Sequence, residues 1–179
     1  MHKDVSFYIL HMNYLTHQLL NAEEIKFIRK ELQEENQDWE DGKKTAGSFA
    51  SKVKNNMQLK RQSDISKKLS AQIKQKLLKN DLIKSFTLPK NIHGLMFTKS
   101  SKGMSYGSHI DNAFMSSGRA DLSFTIFISE KNQYQGGELF IENFNAESKF
   151  KLSGGEIIIY PSTYLHSVQE VLNGERIVC

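Results

Sequence analysis

Two periodicities divide the chain. Ile25, Ile28 and Leu32 recur at helical spacing, and Asn21 stands three before Glu24 as a capping box, which predicts a helix over about residues 22–35. Ile65, Leu69, Ile73 and Leu77, each four apart, predict a second helix within "DISKKLSAQIKQKLLKNDLIKSF". Between them "NQDWEDGKKTAGSFASKVKNNMQL" is rich in Gly, Asn, Asp and Ser, and it reads as a turn leading into a strand or an irregular loop. Residues 1–20, which include "VSFYIL", are mixed and apolar-tinged and read as an added edge strand.

After Pro89 the pattern changes to short strands: "GLMFTK", "DLSFTIFIS", "GGELFIENF", "KFKLSG", "GEIIIYPS" and "HSVQEVLNGERIVC", separated by glycine-containing turns. Such spacing suggests an all-β sandwich or barrel, here with the earlier helices packed outside, so the fold class is α+β. No internal repeat or low-complexity linker interrupts it. A single domain over residues 1–179 is expected, helical over about 12–90 and a β core over about 91–179.

Composition adds little to this picture, since 39% hydrophobic and 25% charged residues exclude only wholesale disorder. The net charge of +4 comes from lysines spread through residues 26–102, among them Lys52, Lys54, Lys60, Lys67, Lys68, Lys74, Lys76 and Lys79, with Arg61. Much of that run has helical spacing and reads as a solvated helix face. The alternative is a patch for nucleic acid, but no aromatic residues interleave with the basic ones, so nucleic acid is not the expected partner. Cys179 is the only cysteine, which excludes an internal disulfide and fits a cytoplasmic location. "VSFYIL" is too short to cross a bilayer and lacks the flanks of a cleaved signal, so no membrane association is expected.

The candidate chemistry lies in "YGSHIDNAF". Strand alternation aims His109 and Asp111 the same way, with Ile110 opposite. His166, in "YPSTYLHSVQEV", is a third candidate, whereas His2, His11, His17 and His93 have no comparable setting. Two histidines and a carboxylate suit the facial triad that holds Fe(II) and leaves three positions open. The same ligands with a bound water would suit a zinc hydrolase. What separates these readings is a cation for the far carboxylate of a 2-oxo acid, and Arg176, ten residues after His166, can pair with it bidentately. In "VQEVLNGERIV" a hairpin loop of Leu172, Asn173 and Gly174, with Gly174 left-handed, would pair Glu170 with Arg176. His166 and Arg176 would then share one face, about 13 Å apart along the sheet.

The ordered set "YGSHID", His166 and Arg176 resembles the Fe(II)/2-oxoglutarate dioxygenases, and within them the prolyl 4-hydroxylase-like, PKHD-type hydroxylases. "WEDGKKTAGSFASKVKNNMQL", "YQGGELFI", "GEIIIYPS" and "LHSV" resemble further blocks of that family, so the likeness runs from about Met12 to Cys179. It implies a double-stranded β-helix, or jelly roll, with His109, Asp111 and His166 on Fe(II) and Arg176 on 2-oxoglutarate. Ascorbate is a further implied ligand. Tyr106 matches a tyrosine near the substrate in related prolyl hydroxylases; its other reading is a barrel-wall aromatic. Asn55 and Asn56 match an asparagine pair facing the site, or else serve a turn.

Where the family has Arg-Tyr before the ligand strand, with a tyrosine that reaches the cosubstrate, this chain has Lys99-Ser100. Ser100 and Thr125 are the expected substitutes. The chain ends in the strand that carries Arg176, where relatives continue, and residues 1–11 read as an extension. The implied activity is hydroxylation of a prolyl residue in a protein or peptide, with succinate and CO2 released. An oxygenase acting on nucleic acid or a small molecule, and a non-catalytic binding module, are the alternatives. Specificity is expected in "DNAFMSSGRAD", the loop after the ligand pair.

Overall fold

The computed structural model describes residues 14–34, 38–115, 118–143 and 146–179. "VSFYIL", His2 and His11 lie outside the described residues. The chain begins with β1 (Leu15–Gln18) and α1 (Ala22–Glu34). β2 (Trp39–Asp41), two short 3-10 turns, β3 (Lys54–Asn55) and β4 (Met57–Leu59) lead into α2 (Asp64–Lys79) and α3 (Asp81–Thr87). Then come β5 (Thr98–Ser101), β6 (Ser105–His109), β7 (Phe114–Met115), β8 (Gly118–Arg119), β9 (Leu122–Ile126) and β10 (Tyr134–Gly136). The last strands are β11 (Leu139–Asn143), β12 (Ala146–Phe150), β13 (Glu156–Pro161), β14 (Leu165–Val168) and β15 (Val171–Val178).

Local chemistry sets the helix limits. Asn21 Oδ1 accepts from Glu24 N while Asn21 N donates to Glu24 Oε2, both at 2.9 Å, which satisfies two donors at the start of α1. Ser63 caps α2, and Asn80 ends α2 and caps α3 by accepting from Ile83 N at 3.0 Å. His17 Nε2 lies 3.0 Å from the Asn80 amide, which ties β1 to that junction. Two lysines of the basic run, Lys68 and Lys76, pair with Glu31 and Glu24 across the α1–α2 contact. They are therefore partly committed to helix packing. No helix among the described residues is long and apolar enough to cross a membrane.

The strands form two layers. One is the five-stranded sheet β12-β11-β14-β6-β3. The other joins β1-β13-β9 to β10-β15-β5-β4-β2, where Phe127 bridges Val178 and Ile126 and Cys179 exchange hydrogen bonds of 2.7 and 2.9 Å. Alternation along β13 serves both sides of the larger layer: Ile157 and Ile159 pack with Ile25, Ile28, Leu69 and Ile73 of the helices. Ile158 and Tyr160 face the other way, into a core shared with Leu139, Ile141, Phe150, Phe127 and Val178. Because that core takes residues from both layers, it lies between them. Each fully buried aliphatic side chain contributes about 1.5–3 kcal/mol, so both faces of β13 hold the layers together.

The expected hairpin of Leu172, Asn173 and Gly174 does not form. β14 pairs with β6 and β11, whereas β15 pairs with β10 and β5, so the chain changes layer between Val168 and Val171. Gly174 has φ 75°, but it sits inside β15 opposite Tyr134, where an added Cβ would lie 2.2 Å from the Gln133 carbonyl oxygen. Asn-Gly therefore marks a close approach of two strands instead of a turn. Gly103, also left-handed at φ 81°, has open space around it. Gly103→Ala is expected to cost about 1–2 kcal/mol of conformational strain. Gly174→Ala should cost clearly more, because strain and clash combine. Urea unfolding midpoints of the two variants check this, and a smaller loss at Gly174 than at Gly103 would show that β10 separates freely from β15.

Candidate metal centre

His109 and His166 are Cα partners across the β6–β14 pair, with ring centroids 4.2 Å apart. Each is buried, and each has its Nδ1 beside a backbone carbonyl: Gly107 O at 2.8 Å for His109, Tyr164 O at 2.9 Å for His166. A carbonyl can only accept, so Nδ1 carries a proton, and in the neutral ring Nε2 keeps the lone pair. Those two Nε2 atoms lie 3.8 and 3.7 Å from one oxygen, Asp111 Oδ1. One ligand atom from each of the three residues can be chosen so that all lie within 4.8 Å of one another. Burial pushes the His109 imidazole down to about 4, and His166 adds to this, offset in part by Gly107 and Asp111. It is therefore neutral, as a ligand must be.

Asp111 reaches this point from a loop, since β6 ends at His109. Its N–H donates to Ser162 O at 3.3 Å, and Ser123 Oγ donates to its Oδ2 at 2.5 Å. The serine occupies one carboxylate oxygen and leaves Oδ1 turned to the histidines. Nothing marked Ser123 in the sequence except the alternation of "DLSFT", which puts it on one face of β9 with Thr125.

Tyr106 shares the histidines' face for a reason that simple alternation misses. From Tyr106 to His109 β6 advances three residues, while its partner advances two, from Val168 to His166. The bulge at Gly107-Ser108 restores the facing. The Tyr106 ring consequently stacks on His109, centroids 3.6 Å apart. Burial, with a smaller effect of Asp111, pushes its phenol up to about 12. Gly107 is needed here, since a Cβ would lie 2.8 Å from that of Val53. Lys54, directly opposite Tyr106, holds its ammonium 5.3 Å from the tyrosine ring centroid. It belongs to the basic run read largely as solvated; it lies on a strand and is 5% exposed.

Arg176 approaches from the opposite layer. It is 3% exposed, its guanidinium lies 5.5 Å from the Phe127 ring centroid, and its Nε and Nη2 have no hydrogen-bond partner among the described residues. The buried Tyr134 hydroxyl lies near the guanidinium but makes no well-aligned hydrogen bond among the described residues. Ser100 is the Cα partner of Arg176 and so shares its face. Thr125, on β9, acts on the Tyr160 hydroxyl, and the Tyr160 ring meets His166 edge-on at 5.2 Å. Burial raises the Tyr160 phenol far above its ordinary range. Tyr134 and Tyr160 thus stand around the arginine, although neither was singled out in the sequence. His166 and Arg176 look at each other from two walls, and not along one sheet face as expected.

Asn55 donates to Gly103 O at 3.2 Å and pins the β5–β6 turn. Asn56 packs against Gly42, whose N–H donates to Asn56 O at 2.9 Å. The Asn55 contact supports a turn, whereas the Asn56 bond is a backbone one and its side-chain Oδ1 is buried with no hydrogen-bond partner among the described residues. The loop after the ligand pair forms the β7–β8 ribbon with Phe114 and Met115 exposed and Arg119 paired to Asp121 at 2.5 Å.

Residues 95–179, which hold the histidines, Asp111 and Arg176, match the 2OG-Fe(II) oxygenase superfamily. A PKHD-type hydroxylase of Prochlorococcus marinus strain MIT 9312 is 69% identical over 168 residues, covering 94% of this chain and 76% of that protein. Among solved structures, a Pseudomonas putida prolyl-4-hydroxylase is similar with TM-score 0.68 at 16% identity, over 97% of this chain and 93% of that one. A Trichoplax adhaerens prolyl hydroxylase in complex with a hypoxia inducible factor peptide fragment is similar at the same TM-score and 12% identity, over 97% and 84%. At these identities the solved structures show the fold. With the relative's identity added to the superfamily match, the chain belongs to the PKHD-type hydroxylases, enzymes of the oxygenase superfamily that uses Fe(II) and 2-oxoglutarate.

Proposed function

We propose that this chain hydroxylates a prolyl residue of a protein or peptide and converts 2-oxoglutarate to succinate and CO2. The observation that carries the reading is the placement of His109, Asp111 and His166 on one wall and, on the other, a buried Arg176 whose Nε and Nη2 have no hydrogen-bond partner among the described residues. The facing layers support a double-stranded β-helix as the scaffold.

The residues fit both groups. Two Nε2 atoms and one carboxylate oxygen are the donor set that His109, His166 and Asp111 offer Fe(II), which prefers such mixed ligands. When bound, Fe(II) supplies the redox chemistry by which dioxygen and 2-oxoglutarate convert C–H to C–OH. Arg176 would take the far carboxylate of 2-oxoglutarate through its orphaned Nε and Nη2, and Tyr134 Oη would add a donor. Buried donors of this kind carry a desolvation penalty that an anion removes. Ser100 and Thr125, on the same inner surface, replace the usual tyrosine contact as hydroxyl donors. Tyr106 lines the side of His109 where the substrate C–H must come, and its packed ring excludes water there. A proline, with its fixed φ, presents one ring face to such a wall at low entropic cost.

Incubation with Fe(II), 2-oxoglutarate and either proline-containing peptides or methylated oligonucleotides tests the reading. Succinate release with one added oxygen on the peptide, found by mass spectrometry, is expected. Turnover with oligonucleotides alone would overturn it and return attention to the lysines of α2. Ser123→Ala should weaken Mn(II) affinity by about 10–100-fold, as loss of a ligand-orienting partner does. Calorimetric titration checks this, with Ser123→Thr expected to retain binding. Arg176→Ala should lose roughly one to two decades of 2-oxoglutarate affinity and Arg176→Lys less, read by titration of the cosubstrate. Equal affinities would mean that another group anchors the acid.

A further inference from the structure

Lys54 is a buried cation that the reaction as described does not use. The residue is 5% exposed, it makes no ion pair among the described residues, and its ammonium lies 5.3 Å from the centroid of the Tyr106 ring. Desolvation leads the causes that lower its pKa, Arg61 adds to it, and the carboxylates of Asp111 and Asp41 act in the opposite direction. Enclosing a lysine this far without an ion pair is costly, and a ring face returns only part of that cost. Its register opposite Tyr106 puts it on the inner side of the sheet, where the bulge has also brought His109.

The charges of the site sharpen the point. A divalent cation with Asp111, and the 2-oxoglutarate dianion with Arg176, together sum to neutrality. Lys54 is then one positive charge in excess, and it stands beside the aromatic wall. Val53, Ile110 and Phe114, which stand close in sequence to Lys54 and the ligand pair, are exposed apolar residues. A small apolar residue with a carboxylate close by would satisfy both features.

We propose that Lys54 anchors a carboxylate of the peptide substrate, so that the enzyme selects acidic peptides. This rests on the peptide-hydroxylase reading above. The carboxylate is either that of an Asp or Glu beside the target residue or that of a peptide terminus, and both would meet the same ammonium.

The test is binding, read by fluorescence anisotropy with the full chain loaded with Mn(II) and 2-oxoglutarate. The probes are labelled, amidated peptides with the centre Gly-Asp-Pro-Asp-Gly, Gly-Asn-Pro-Asn-Gly or Gly-Asp-Ala-Asp-Gly, and the Asn form with a free C-terminal carboxylate. The wild type should bind the Asp form or the free-terminus form about tenfold more tightly than the amidated Asn form, and which of the two does so identifies the source of the carboxylate. Lys54→Met should abolish that preference, and Lys54→Arg should keep most of it. The affinity for 2-oxoglutarate should stay the same in both variants, a pattern that a merely structural lysine would not produce. Equal binding of acidic and amidated Asn peptides by the wild type, or no binding of any of them, overturns the proposal without needing a variant. Retention of the preference in Lys54→Met does the same. The Ala form decides the separate question: binding as tight as that of the Asp-Pro form would remove the prolyl reading and leave the role of Lys54 standing.

Discussion

The site depends on the pairing of β6 with β14. Two histidines far apart in sequence become direct cross-strand partners, and a ladder of backbone hydrogen bonds holds them more firmly than either side chain could be held alone. An extra residue in β6 then turns Tyr106 to the same side. Without that irregularity the tyrosine would face away and Lys54, its own partner, would go with it. One local insertion therefore decides whether the metal ligands have an aromatic and cationic wall or bare backbone beside them.

The helices owe their place to the same alternation. β13 gives Ile157 and Ile159 to α1 and α2, and Ile158 and Tyr160 to the interior. Its outer residues therefore press the helices onto the sheet while its inner ones help form the chamber. Lys68 and Lys76 add exposed ion pairs to the helix contact, a small contribution beside the apolar one.

Elements controlled by local chemistry were legible from the residues alone. Asn21 and Glu24 cap a helix because their reach to the backbone does not depend on the rest of the fold. Alternation foresaw that His109 and Asp111 would share a side, although Asp111 gets there through a loop pinned by Ser123 and Ser162 and not through strand geometry. Pairings between distant strands were not legible. Asn173-Gly174 looks like a hairpin to any local rule, and only the competing partners β5 and β10 prevent one. Lys54 looked like one of many solvated lysines because its burial comes from β6, some fifty residues later. Tyr134 and Tyr160 were passed over because tyrosine is an ordinary strand residue, and what distinguishes them is a guanidinium on a strand not yet in view.

His166 and Arg176 stand on different layers, and that has a mechanical consequence. Packed sheets sit about 10 Å apart, a spacing set by the bulk of the side chains between them. Here those side chains are Phe127, Leu139, Ile141, Ile158 and Val178. On the proposed reading, the apolar filling acts as a ruler for the length of acid that would bridge metal and arginine. A change of one methylene in that filling, far from any ligand, would retune which diacid the chamber measures as correct.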